Sequence, residues 1–179
     1  MTSPPSDDIL RQRTRRRIRE FTAAHPGKSA REIQRALHLG WGETAYHLDQ
    51  LVRANAIRRE RTGRRDAYFD PTVTWEDRRI LVVMRGETTC RLLLVLASVP
   101  TSSFSDLPSR LGVSKSTLSF HLTRLVAAGV VEIVRTDAGR EYRVPSRERV
   151  AQLVRDHRES FADRWIDRFM ETWASLLPE

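Results

Sequence analysis

Lys115, Ser116, Thr117, Phe120, Thr123 and Arg124 lie within one short stretch of the chain. Together they offer two cationic groups, three hydroxyls and an aromatic ring. They form no nucleophile–base pair and no metal-ligand cluster. They do match what reading a duplex requires: short arms that donate and accept at base edges, and cations for phosphate. Leu118, Leu122, Leu125 and Val126 recur among them at helical spacing, so the polar set falls largely off an apolar stripe. Ser114 has the right hydroxyl and position to cap this helix. Gly129 suits the left-handed residue that ends one. Val130, Val131, Ile133 and Val134 then read as a strand, and Asp137-Ala138-Gly139-Arg140 as a turn before Tyr142-Arg143-Val144. The polar residues therefore sit on a recognition helix that feeds a hairpin, or wing, where Arg135 and Arg140 would meet phosphates.

The same pattern occurs earlier. His47 and His121 are 74 residues apart, and at that offset Leu48 matches Leu122, Leu51 matches Leu125, Val52 matches Val126 and Tyr68 matches Tyr142. Pro26 matches Pro100, Ser29 matches Ser103 and Leu37 matches Leu111. No gap is needed from about Arg17 to Tyr68, which implies two copies of one small domain. The first wing, Ile57 to Phe69, carries Arg58, Arg59, Arg61, Arg64 and Arg65, with Thr62-Gly63-Arg64 near its tip.

The chain has 179 residues and a formal net charge of +8. Basic residues outnumber acidic ones 15 to 9 over residues 1–70 and 10 to 7 over 71–145, but are 6 against 7 over 146–179. The positive charge thus rides on the repeats, which favours a polyanionic partner. Cys90 is the only cysteine, so no internal disulfide can form and a reducing compartment fits. No apolar run is long enough to span a bilayer, and MTSPPSDDIL lacks a signal pattern, so a cytoplasmic protein is expected.

In order, residues 1–8 read as a disordered lead-in rich in Pro, Ser and Asp. Ile9 to about Ala24 is helical, with Leu10, Ile18 and Phe21 inward. Its arginines, Arg11 to Arg19, either meet phosphates or form a solvated face. Ser29 with Glu32 makes a capping box for a second helix whose inner face is Ile33 and Leu37. Gly27-Lys28-Ser29 has the ending of a phosphate loop, but Thr22 stands where the upstream glycine belongs and no strand precedes it. Leu39-Gly40-Trp41-Gly42 reads as a turn before a third helix, Glu43 to about Ala54, anchored by Tyr46, His47, Leu48 and Leu51. Val73 to Met84 reads as a connecting helix, with a buried strand at Ile80–Met84 as the alternative. Thr88–Ser98 and Ser105–Leu111 are the first two helices of the second copy. Ser146 to Leu177 has no counterpart in the repeat. It reads as one long helix with Val150, Leu153, Val154, His157, Phe161, Trp165, Phe169, Trp173 and Leu176 on one face. That stripe either packs on the protein's own domains or meets its twin; the homodimer is favoured, because linked half-sites add affinity.

The fold class expected is mainly α with small β wings: two tandem winged helix-turn-helix domains plus a long C-terminal helix. The expected boundaries are a lead-in at 1–8, domains at 9–70 and 87–145, a connecting helix at 71–86 and the C-terminal helix at 146–179. Ser116-Thr117-Leu118-Ser119-Phe120-His121-Leu122, then Leu125 and Ala128-Gly129-Val130-Val131, resemble the recognition helix and wing of ArsR-like winged-helix transcription regulators. Leu39-Gly40-Trp41-Gly42 with Tyr46-His47-Leu48 and Leu51 is similar to the first domain of archaeal-type tandem winged-helix regulators. The resemblance spans roughly residues 9–145 and implies a DNA-binding transcriptional regulator.

Its expected partner is double-stranded DNA. Lys115, Ser116, Thr117, Phe120 and Thr123, with Trp41 and Tyr46 of the first copy, would face the duplex. Arg124, Arg135, Arg140 and the first-wing arginines would hold phosphates. Glu43 and Asp49 place negative charge on the first recognition helix, so the second domain is expected to read more bases. Metal-sensing members use Cys, His and acidic clusters. Here Cys90 is alone and the five histidines are scattered, so no metal, no cofactor and no enzymatic activity are expected. The alternative function is a protein-docking module without sequence-specific DNA reading. RNA binding is weaker still, because exposed aromatics on a sheet are missing from the pattern.

Overall fold

The computed structural model describes residues 12–62, 65–137 and 139–161, without the side chains of 158 and 159. The lead-in, Leu10, Arg11, Gly63, Arg64 and Ala138 lie outside the described residues, as does everything after Phe161, including Trp165, Phe169, Trp173 and Leu176. The chain divides into two compact units, Met1–Arg78 and Arg79–Glu179.

The first unit holds helices α1 (Arg13–Ala24), α2 (Ala30–Leu37) and α3 (Trp41–Arg53), then an antiparallel hairpin of β1 (Arg58–Thr62) and β2 (Arg65–Phe69). Helix α2 starts where it does because Ser29 and Glu32 cap each other: the Ser29 hydroxyl accepts from the Glu32 N–H, and Glu32 accepts from the Ser29 N–H at 2.9 Å. Gly27-Lys28-Ser29 is spent on this corner, with Lys28 paired to Glu32 at 3.0 Å. Helix α3 begins at Trp41, two residues before the expected start, because the Thr44 N–H bonds to Gly40 O at 2.9 Å and closes the first turn, with the Thr44 hydroxyl donating to the same oxygen at 2.8 Å. Ile18, Ile33, Leu48, Leu51, Ala56, Ile57 and Tyr68 make the core, with Phe21 and Leu37 packed at its edge. Tyr46 does not anchor α3 as expected; it is 56% exposed. It lies two positions from buried Leu48, about 200° around the helix.

Helix α4 (Trp75–Met84) contains the dividing point between the units. Ile80–Met84 is helical, not a strand. In the first unit, buried Arg78 pairs with Glu60 of β1 and donates to Val73 O at 2.6 Å.

The second unit continues with α5 (Glu87–Ala97), β3 (Ser102–Ser103), α6 (Leu107–Leu111), α7 (Lys115–Ala127), β4 (Glu132–Thr136), β5 (Gly139–Arg143) and α8 (Arg147–Asp156). Its sheet runs β3-β5-β4, antiparallel throughout. Helix α6 starts at Leu107 and not at Ser105. Pro108 has no N–H and fits only a first helical turn, and Ser102–Ser103 are taken into the sheet. Val130 and Val131 are not in the strand, because their N–H groups both bond to Leu125 O and finish the helix end. Gly139 and Arg140 belong to β5 and not to the turn.

Helix α8 ends at Asp156, and a 3₁₀ turn, Arg158–Phe161, follows; the rest of the expected C-terminal helix lies outside the described residues. Val150, Leu153, Val154 and Phe161 are buried within this unit, so this part of the apolar stripe packs on its own domain and not on a twin. Arg85 fixes the end, donating to Ser160 O at 2.8 Å and standing 4.3 Å from the centre of the Phe161 ring.

The 74-residue repeat is carried into the backbone. The bounds of α3, β1 and β2 all recur at that offset in α7, β4 and β5. The Lys28–Tyr68 bridge recurs as Ser102–Tyr142. Arg17 donates to Leu37 O at 3.0 Å, and Arg91 donates to Leu111 O at 2.8 Å. Left-handed backbone occurs at His38 and Asn55, then again at Gly112 and Gly129.

Candidate nucleic-acid interface

Helix α7 buries Leu118, Leu122 and Leu125 and turns its other face to solvent. Lys115, Ser116, Phe120, Thr123 and Arg124 are all exposed, with Phe120 at 59%. Arg124 stands 5.7 Å from the centre of the Phe120 ring. Ser114 caps the helix, accepting from the Thr117 N–H at 3.2 Å. The Thr117 and Ser116 hydroxyls each stand 2.9 Å from that of Ser114; Thr117 is half-buried and committed to the cap, whereas Ser116 stays exposed. The Thr123 hydroxyl donates to Ser119 O at 2.9 Å, as helical threonines do when no other acceptor is offered. Ser119, which the sequence reading passed over, is exposed on the same face. Its spacing between Ser116 and Thr123 was the available signal.

In the adjoining hairpin, Arg135 of β4 lies directly opposite Arg140 of β5. Both are exposed, and among the described residues neither makes an ion pair. Like charges in facing positions repel, and a polyanion relieves that cost. Arg143, by contrast, is paired with Glu132 at 2.8 Å.

The first unit repeats the geometry with other side chains. Trp41, at 44% exposure, and Tyr46 lie on the open face of α3. The Arg31 guanidinium covers Trp41 at 3.8 Å from the ring centre. Arg58, Arg59, Arg61 and Arg65 are exposed on the hairpin; Arg64 lies outside the described residues. Glu43 accepts from the Thr14 hydroxyl at 3.2 Å, and Asp49 pairs with Arg53 at 2.8 Å. The two carboxylates that would repel phosphate are thus partly engaged within the unit.

Beneath both faces sits a histidine. His47 and His121 each hold a buried Nδ1 that has no hydrogen-bond partner among the described residues. Tyr46 and Phe120 meet their rings edge-on, at 5.1 and 5.2 Å. Burial pushes both imidazoles below their ordinary value, helped by Arg15 at His47 and by Arg124 at His121.

A family model described as an N-terminal HTH domain matches residues 12–81, and one described as a helix-turn-helix domain matches residues 87–134. No curated protein and no solved structure matches the chain significantly. Each match falls on one copy of the repeat, so the chain carries two helix-turn-helix domains in tandem, a domain type that points to DNA binding.

Proposed function

We propose that the chain is a transcriptional regulator that lays α7 in the major groove and sets its arginine-bearing wings on the sugar–phosphate backbone. The observation that carries this reading is the open polar face of α7 beside the facing, unneutralised Arg135 and Arg140. A helix of this width fits the major groove, and a hairpin beside it reaches the backbone. The similarity of the recognition-helix residues to ArsR-like regulators supports the same mode. In this reading the winged-helix domains span 9–70 and 87–145, joined by 71–86. Lys115, Ser116 and Phe120 meet base edges; Arg124, Arg135 and Arg140 meet phosphates; Trp41, Tyr46 and the first-wing arginines add grip from the first unit. In this reading two chains pair through the C-terminal stretch, whose apolar stripe continues in the sequence at Trp165, Phe169, Trp173 and Leu176.

Selection of duplexes from a random pool by the full chain tests the reading. A defined site should emerge, and Lys115→Ala should cost about 1–3 kcal/mol on it and relax one position. A pool that yields no enriched sequence would overturn base reading. Light scattering of the same sample should give the mass of two chains; one chain would overturn the homodimer.

A further inference from the structure

Helices α2 and α3 and the β1–β2 hairpin of the first unit enclose an open groove of about 770 Å³. Leu48, Val52 and Tyr68 form its apolar lining, and Arg31, Arg35, Arg59 and Arg65 stand exposed around it. The second unit has the same groove at the equivalent positions, Leu122, Val126 and Tyr142, with a volume of about 300 Å³. There, Ile133 occupies the place of Arg59, and no arginine lines the space. The fold alone would give both copies the same groove, so the enlargement and the arginines belong to the first copy's own sequence.

The chemistry of the lining narrows the occupant. Four guanidinium groups face two carboxylates, Asp49 and Asp66, and Asp49 is already paired with Arg53. The excess charge selects an anion. Trp41, exposed and stacked by Arg31, supplies a flat surface for a ring, while buried Leu48 and Tyr68 with half-buried Val52 form the floor beneath it. A phosphate of the duplex backbone would satisfy arginines at the rim but would leave the apolar lining empty. The volume lies in the range of small-molecule sites, about 300–1,000 Å³.

We propose that this groove binds a planar aromatic acid, its anionic head held by Arg35, Arg59 and Arg65 and its ring lying against Trp41 over the apolar floor. Because Trp41, Arg59 and Arg65 also serve the proposed duplex contact, ligand and DNA exclude each other. That coupling rests on the DNA-binding reading; the site itself does not.

The test uses the full chain without DNA, titrated with anthranilate and followed by the Trp indole N–H signals. Trp41→Phe identifies the Trp41 signal. A saturable shift of that signal is expected. Arg35→Ala, at an exposed position outside the proposed duplex contacts, should weaken binding about tenfold or more. Aniline, a ring without the charge, and inorganic phosphate, a charge without the ring, should each bind about tenfold more weakly than anthranilate. No saturable shift, or phosphate binding as tightly as anthranilate, would overturn the site. With the selected duplex present, anthranilate should raise the apparent Kd for DNA; an unchanged Kd would overturn the exclusion while leaving the site. Failure to select any duplex strikes the DNA reading and leaves the anthranilate titration intact.

Discussion

At the residue scale, His47 and His121 tie the fold to pH. Each lies at the same point of its repeat, under an exposed ring, with Nδ1 cut off from water. Burial is the main reason each imidazole stays neutral below its ordinary 6.5. Arg15 adds to this at His47, where Glu43 partly opposes it, and Arg124 adds to it at His121. The unfolded chain therefore takes up protons before the folded chain does. Stability is full above about pH 6.5 and is lost as pH falls through the lower folded values. Thermal melts between about pH 7 and about pH 5 should show Tm declining, and His47→Gln with His121→Gln should flatten part of that decline. An identical pH slope in the double variant would remove the histidines from the account. Glu32 behaves as a carboxylate counterpart. Burial alone would raise it, but hydrogen bonds from the Ser29 N–H and hydroxyl and from Lys28 bring it down to about 2. The α2 cap thus survives to far lower pH than the two histidine sites.

At the element scale, α3 and α7 end by the same device with different residues. Asn55 and Gly129 both have left-handed backbone, at φ +54° and +66°. A Cβ at Gly129 would also collide with Arg79 Nη1, and Arg79 donates to Ala128 O at 3.2 Å. Gly129→Ala should therefore cost about 1–2 kcal/mol of backbone strain and disturb that contact as well. Asn55→Gly should be neutral or slightly stabilising, because asparagine already tolerates the conformation at a small cost. Urea midpoints compare the two; a Gly129→Ala midpoint as little changed as that of Asn55→Gly would mean that the left-handed position carries no strain. This correspondence was legible in the sequence, since Leu48, Leu51, Tyr68 and their partners fixed the 74-residue frame and the leucine stripes fixed which faces turn inward. The start of α6 was not. Ser103 stands at the position of Ser29, yet sheet pairing with Glu141 outcompetes a cap, and only Pro108 hinted at the later start. Exposure of Lys115, Ser116 and Phe120 followed from periodicity. The commitment of Thr117 to its cap depends on local hydrogen bonding, which composition and spacing do not reveal. The groove beside α2 depends on tertiary placement of Arg31 and Arg35, which no pattern in the chain marks.

At the scale of the whole molecule, one frame is used twice with surfaces of different chemistry. The first hairpin is crowded with arginine, whereas the second carries the facing pair Arg135 and Arg140 beside a helix of hydroxyls, Lys115 and Phe120. Basic residues exceed acidic ones by 15 to 9 in residues 1–70 and by 10 to 7 in residues 71–145. If the first unit supplies mainly grip and the second mainly base reading, salt and sequence should separate them. Removing one cation that neutralises a phosphate should flatten the slope of log Kd against log salt by about 0.9. Arg59→Ala with Arg65→Ala should flatten it and weaken selected and scrambled duplexes alike. Lys115→Ala should spare the slope on scrambled duplex and penalise the selected one. Fluorescence anisotropy of the full chain on both duplexes over a salt series measures this directly. Should the first-hairpin variant lose affinity only on the selected sequence, the first unit reads bases as well, and the division between grip and reading would have to be abandoned. An unchanged slope after removal of both arginines would instead place the backbone contacts elsewhere on the first unit.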